Sequence, residues 1–258
     1  LVPLMGVIYI SVAFILTIMH INLVPGVVGR IFAEAFDFTA IFGGFAGSCM
    51  MFGIKRGLYS NEAGVGSAPN AAAAADVSHP VKQGLVQMLS VFIDTLLICT
   101  ATAFMCLSSG IEPTKELAGA PYVQAALAAS MGDYAKLFIT VSMVLFAFTT
   151  LLGNLYYVDN AFAYVLKHVP GKTFTLCYRI LACVLIFIGA GSSMGTMWDL
   201  ADVTMGFMAI INLPVICILG GPALRALDDY TEQRNAGKNP EFKASKIGLT
   251  QKLDYWQD

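Results

Sequence analysis

The residues best suited to chemistry fall in one stretch, RGLYSNEAGVGSAPNAAAAAD (56–76), where glycines, a proline, an asparagine and a glutamate interrupt apolar sequence. Upstream, AIFGGFAGSCMMFGIKRGLY reads as a helix with Gly43/Gly47 and Gly53/Gly57 as small pairs for close packing. Downstream, APNAAAAAD is a good short helix, with Ser67 as its N-cap and Pro69 in a first turn where a missing N–H costs nothing. Between them SNEAGVG breaks the helix. Backbone unpaired inside a bilayer is tolerated only where protein buries it or a cavity lies beside it, so Ser60, Asn61, Gly64, Gly66 and Ser67 are binding candidates. The second half-helix would offer N–H groups to an anion and the first would offer carbonyls to a cation. A zwitterion such as an amino acid presents both charges. A glycine-kinked helix without ligand and a channel's selectivity loop are the alternatives.

Other polar side chains stand out against apolar surroundings. Asp94, in VFIDTLLICTATAF, occupies a span where a carboxylate costs about 2.5–3.5 kcal/mol or more, which points to ion coupling or to a buried pair with Lys55 or Arg56. Glu62, inside the break, carries the same two readings. Thr149 and Thr150 place two hydroxyls in VLFAFTTLLG; one can turn into the bundle and, with a carbonyl such as that of Phe146, give sodium the hard oxygens it prefers. Self-satisfied hydroxyls in plain helix packing are the alternative. Met194 and Trp198, four apart, share a helix face, where a tryptophan also suits a membrane interface. Asp199 and Asp202 sit at the outer end of that helix, and Asn212 near Pro214 is placed to satisfy backbone that the proline frees. His20, His79 and His168 lie near span ends and read as solvated. The six cysteines show no ligand spacing and read as packing residues. No nucleophile–base pattern, phosphate loop or metal-ligand spacing argues for an enzyme or a cofactor, and no basic patch with interleaved aromatics argues for nucleic acid.

These residues need a membrane scaffold to position them. The chain is 57% hydrophobic and 12% charged, with a mean hydropathy of +0.71, outside the range of soluble domains. Runs of about 20 apolar residues or more occur at 2–23, 38–59 continuing to 75, 83–109, 135–166, 174–193 and 195–224, giving an all-α integral membrane protein of about six spans. Lys82, Lys167, Lys172, Arg179 and the basic residues from Arg225 onward fall on one side, which the positive-inside rule makes cytoplasmic. The expected organisation is a transmembrane domain over 1–225 and a solvated cytoplasmic tail over 226–258. The 110–134 connection, with its proline breaks, reads as an outer, lid-like element. Leu1 falls within an apolar run, so a portion is expected to precede it.

The string GIKRGLYSNEAGVGSAPNAAAAADVSHPVKQGLVQMLSVFIDTLLICTATAF closely resembles the signature region of the alanine or glycine:cation symporter family, also called sodium:alanine symporters. FAFTTLLGNLYYVDN and MWDLADVTMGFMAIINLP resemble it too. The resemblance implies a leucine-transporter-type fold of two inverted five-helix repeats, with this chain as the fifth core helix plus the second repeat and an N-terminal repeat as its missing partner. It implies sodium-coupled symport of alanine or glycine across the cytoplasmic membrane, with sodium as the coupling ion and no other cofactor. A related transporter of another small solute, proton coupling, and a channel-type or structural subunit remain the alternatives. By the same resemblance Met194 and Trp198 become apolar lining of the substrate cavity, and the Thr149/Thr150 pair matches a hydroxyl pair that the family carries.

Overall fold

The computed structural model describes residues 2–38, 49–60, 62, 64–112, 114, 117, 119–249, 253 and 256. Its elements are α1 (Val2–Met19), α2 (Val24–Ala35), α3 (Cys49–Ser60), α4 (Ala68–Ala72), α5 (Pro80–Phe92), α6 (Thr100–Leu107), α7 (Ala120–Met131), α8 (Asp133–Leu166), α9 (Lys172–Ala190) and α10 (Met194–Asn235). A π-helical turn, Ile93–Cys99, joins α5 to α6 into one continuous helix. Four described helices are long and apolar enough to cross a membrane: Pro80–Leu107, Asp133–Leu166, Lys172–Ala190 and Met194–Asn235. The pair Pro3–Met19 and Ile21–Ala35, bent by 74°, makes a fifth if taken as one span. The expected span over 38–59 falls partly on 39–48, which lie outside the described residues together with Gly43 and Gly47.

The chain divides into two compact units, Leu1–Gly57 with Phe92–Pro170, and Leu58–Val91 with Gly171–Asp258. In the first, Ala13 and Leu16 of α1, Met105 of α6, Leu127 of α7, and Ala135 and Ile139 of α8 form one buried core. Alanines at 13 and 135 let helix backbones approach closely where lipid supplies no hydrophobic drive. Tyr9 shares a 2.9 Å hydrogen bond with the Thr102 hydroxyl and meets Phe146 edge-on. The segment read as a lid is in part a packed helix: Ala126 and Leu127 of α7 are fully buried.

In the second unit α10 runs unbroken to Asn235 despite Pro214 and Pro222, well past the point where a solvated tail was expected. The following residues fold back. Phe242 N–H donates to the Ser78 carbonyl at 3.0 Å, the Ser78 hydroxyl to the Pro240 carbonyl at 2.8 Å, and Lys82 Nζ to Asn239 Oδ1 at 2.6 Å. Arg225 Nε donates to the Ile247 carbonyl at 2.9 Å, and Trp256 Nε1 to the Val77 carbonyl at 3.3 Å. Ala226, Phe242, Ala244 and Ile247 supply a small apolar core beneath these bonds. The solvated-tail expectation therefore gives way to a folded C-terminal cap, whose polar composition hid a handful of apolar anchors.

At the centre of the cap lies His79, with no exposed surface, contrary to the solvated role its position suggested. Val81 N–H donates to its Nδ1 at 3.2 Å, so the proton sits on Nε2, which donates to Asp229 Oδ2 at 3.3 Å. Asp229 also accepts from Lys246 and from Gln233. Burial pushes the His79 imidazole below its ordinary value, more than the Asp229 bond lifts it, and nearby Lys82 and Lys246 push the same way as burial. Charging the ring would also set a second N–H against that of Val81.

The cap's histidine thus contributes stability that is full above the unfolded value of about 6.5 and is lost as pH falls through the lower folded value. In a Trp198→Phe background, Trp256 emission is expected to shift to the red between pH 7.5 and 5 as the cap loosens. A His79→Asn variant should be shifted already at pH 7.5 and respond little to acid; an identical acid shift in that variant would place the switch elsewhere.

Candidate functional site

Where the expected break falls, the structure shows a run of turns between α3 and α4 in place of helix. Glu62 N–H donates to the Tyr59 carbonyl, Gly64 N–H reaches back to the Leu58 carbonyl, and Gly66 N–H to the Glu62 carbonyl, each at 3.1 Å. Glu62 takes a left-handed backbone with φ 55, a conformation costing a non-glycine residue on the order of 1–3 kcal/mol. Its carboxylate accepts the Ser67 hydroxyl at 2.8 Å.

Ser67 is therefore the residue before α4 without being its side-chain cap, since its hydroxyl turns to Glu62 instead. The half-helix that follows has only five residues, too short for a substantial dipole, and a carboxylate already stands beside its start. That weakens the expected anion site at this end and favours positive charge near Glu62.

Both glycines are required by the chain's own packing. A Cβ on Gly64 would meet the Leu58 carbonyl oxygen at 2.8 Å, and Gly66, at φ +83, would drive a Cβ to 2.5 Å from Asn212 Oδ1. Asn212, on α10, in turn donates from Nδ2 to the Gly64 carbonyl at 3.0 Å. The sequence pointed to backbone freed by Pro214; the structure shows that Asn212 also serves freed backbone of the break. Sequence reading missed this partner because nothing in the spacing of Gly64 and Asn212 brings them together. Nearer the start of α10, Tyr59 donates its hydroxyl to the Asp202 carbonyl at 3.4 Å.

Beside the break opens a cavity of about 860 Å³. Glu62, Gly66 and Asn212 line one part of it, Gln83 and Gln87 of α5 another, and Trp256 of the cap stands at its edge. Met194 and Trp198 do not line it. They sit in the first turns of α10, and Trp198 lies about 21 Å along the helix from Asn212 at 1.5 Å per residue; both are roughly half exposed, 53% and 46%. Ser60 closes α3, and Asn61 lies outside the described residues.

The remaining candidates belong to the other unit. Thr149 donates its hydroxyl to the carbonyls of Leu145 and Phe146, both at 3.0 Å, while Thr150 is exposed on the same helix. A hydroxyl that donates in this way keeps its lone pairs for a cation. Asp94 is half-buried in the π-helical turn, a distortion that often marks functional positions.

The Gly66–Asn212 contact makes a specific coupling measurable. Gly66→Ala is expected to lower the melting temperature in detergent by several degrees, because it adds both left-handed strain and a clash with the amide. Adding Asn212→Ala should recover part of that loss, a coupling on the order of 1 kcal/mol. Strict additivity of the two changes would mean that the two residues do not touch.

Comparison with known proteins follows the same lines. The model of the sodium:alanine symporter family matches residues 1–244. The amino-acid carrier protein AlsT of Bacillus subtilis is 43% identical over 258 residues, covering 100% of this chain and 54% of the relative. The probable sodium/glutamine symporter GlnT of the same organism is 41% identical, with 99% and 53% covered. The sodium/alanine symporter AgcS of Methanococcus maripaludis is 37% identical, with 93% and 52% covered. The chain spans about half the length of these relatives, which are named as carriers and symporters rather than enzymes. The chain, matched nearly end to end by that model and carrying a broken apolar helix with a cavity beside it, belongs to the sodium:alanine symporter family.

Proposed function

We propose that this chain forms the C-terminal portion of a carrier that couples sodium entry to uptake of a small neutral amino acid, alanine or glycine, across the cytoplasmic membrane. The observation that carries this reading is the interrupted helix, whose freed backbone and carboxylate border a cavity. In this reading the fold is leucine-transporter-like, and the chain supplies the fifth core helix and the second of two inverted repeats. An N-terminal repeat completes the site, and the C-terminal cap faces the cytoplasm.

The substrate sits at the outer side of the break, between Ser60, Asn61 and the apolar wall of Met194 and Trp198. Gly64, Gly66 and Ser67 belong to the inner part of the same pathway, toward Asn212. The cavity beyond, with Glu62 in its wall, is the route by which the amino acid leaves on the cytoplasmic side. Glu62 and Asp94 are the groups through which ion binding is felt, and protons are the alternative coupling ion. The similarity to a probable sodium/glutamine symporter supports one alternative, a carrier with the same mechanism and a larger substrate.

Sodium binds at Thr149 and Thr150 together with the Phe146 carbonyl, and the N-terminal repeat supplies further oxygens. The Thr149 hydroxyl, already turned toward the Phe146 carbonyl, keeps lone pairs for the ion.

The test is uptake of labelled alanine and glycine, with glutamine as competitor, into proteoliposomes of the full-length carrier under an imposed sodium gradient. Saturable accumulation against a concentration gradient that collapses without sodium is the expected result; a channel would equilibrate without accumulating. The Thr149→Ala, Thr150→Ala double variant should need roughly tenfold more sodium for half-maximal uptake, the effect of losing about 1.4 kcal/mol. Unchanged sodium activation would move the ion elsewhere, with Asp94 first to be tried.

A further inference from the structure

We infer that Asn212 is the positioning residue of the break: its side-chain amide fixes the Gly64–Gly66 turns against α10 and thereby sets the geometry in which substrate is held and released. The inference rests on the transport reading above and adds to it a role for Asn212 that the sequence, which points only to nearby Pro214, does not display. Three observations converge on the one side chain. Nδ2 donates to the Gly64 carbonyl at 3.0 Å, a group that the helix has released and that sits in a buried residue. Oδ1 packs so tightly on Gly66 that a Cβ there would come to 2.5 Å. Asn212 and Gly66 also border the same cavity, with Glu62 across the break.

An amide is needed for this task because it donates on one edge and presents a small acceptor on the other. A buried carbonyl without a donor carries a desolvation cost. The turns around it would then be free to adopt other arrangements.

Asn212→Asp keeps shape and volume and removes only the donor. At neutral and alkaline pH it sets a carboxylate oxygen against the Gly64 carbonyl. The charged groups bordering the same cavity are the carboxylates of Glu62 and Asp76. Together with partial burial they raise the new group's pKa. Once protonated, the carboxyl regains an O–H donor in the place of the amide.

The experiment compares sodium-driven alanine uptake by the full-length carrier, wild type and Asn212→Asp, at pH 8 and pH 5.5, each variant normalised to wild type at the same pH and to its amount in the membrane. At pH 8 the variant should lose tenfold or more in kcat with a smaller change in KM; at pH 5.5 it should recover most of that loss. Asn212→Ala should lose activity at both values without recovery. A parallel readout does not need transport: with the native cysteines replaced, Ala73→Cys in the cavity wall should react with a water-soluble maleimide several-fold faster when combined with Asn212→Asp than with the native Asn212 at pH 8, and at the same rate as with the native Asn212 at pH 5.5. If wild type fails to accumulate alanine or glycine, the transport reading falls and the labelling comparison alone decides the role of Asn212. A variant that matches wild type at both pH values, or one equally impaired at both, overturns the inference, the latter by showing a packing role.

Discussion

Backbone polar groups taken out of a helix inside a membrane must find partners in the protein, because the hydrocarbon offers none and each unpaired group costs several kcal/mol. Among the described residues of the break between α3 and α4, several of these groups are met from close by in the sequence. Gly64 and Gly66 turn their N–H groups back to Leu58 and Glu62. The Gly64 carbonyl cannot be met in the same way, and its donor comes from Asn212, far away in sequence. Once that bond is required, other features follow. Gly66 must lack a side chain because the amide passes over it, and Glu62 accepts a left-handed backbone so that the turns can close.

The same accounting governs the C-terminal cap, though there the scarce resource is a place for a buried imidazole. His79 has a donor on one nitrogen, from Val81, and an acceptor at the other, on Asp229. Only the neutral ring fits both. Asp229 keeps its charge at little cost, because Lys246 and Gln233 complete its coordination from the other side. A network fully satisfied in this way fixes its parts in one arrangement, whereas a partly satisfied one would cost more than an apolar core. The cap thereby ties the turn that follows α4 to the cytoplasmic end of α10 in the proposed topology.

The position of the break was legible in the sequence because glycine, proline and small polar residues have strong local effects that overpower an apolar background. The helices were legible for the complementary reason: long apolar runs leave few structural options. What escaped were the features that depend on distant pairs. Asn212 looked like a partner for its own Pro214, since local hydrogen bonding is all that a sequence displays. His79 looked solvated because it lies near a span end, and its partner Asp229 lies 150 positions away. The tail looked unstructured by composition, yet Phe242, Ile247 and Trp256 are enough apolar anchors when a helix end already provides the floor. Ser67 illustrates a subtler limit, for its residue type fits an N-cap while a nearby carboxylate makes the better acceptor.

The cavity inherits its character from these two networks. Along one side its wall is held by the amide bond from α10 to the break, which relies on a single neutral donor. Trp256, also in the wall, donates to the Val77 carbonyl at 3.3 Å and meets the Phe242 ring. The deeper part of the cap, around Asp229, has several charge-assisted bonds, which are about twice as strong as neutral ones. Stiffness therefore rises from the break and the cavity edge toward the base of the cap. In the proposed reading, a wall whose strongest attachments lie at the base of the cap yields beside the break while its foundation stays fixed, and that gradient follows from the placement of charge: the ion pair of Asp229 with Lys246 lies in the cap and not along the cavity wall.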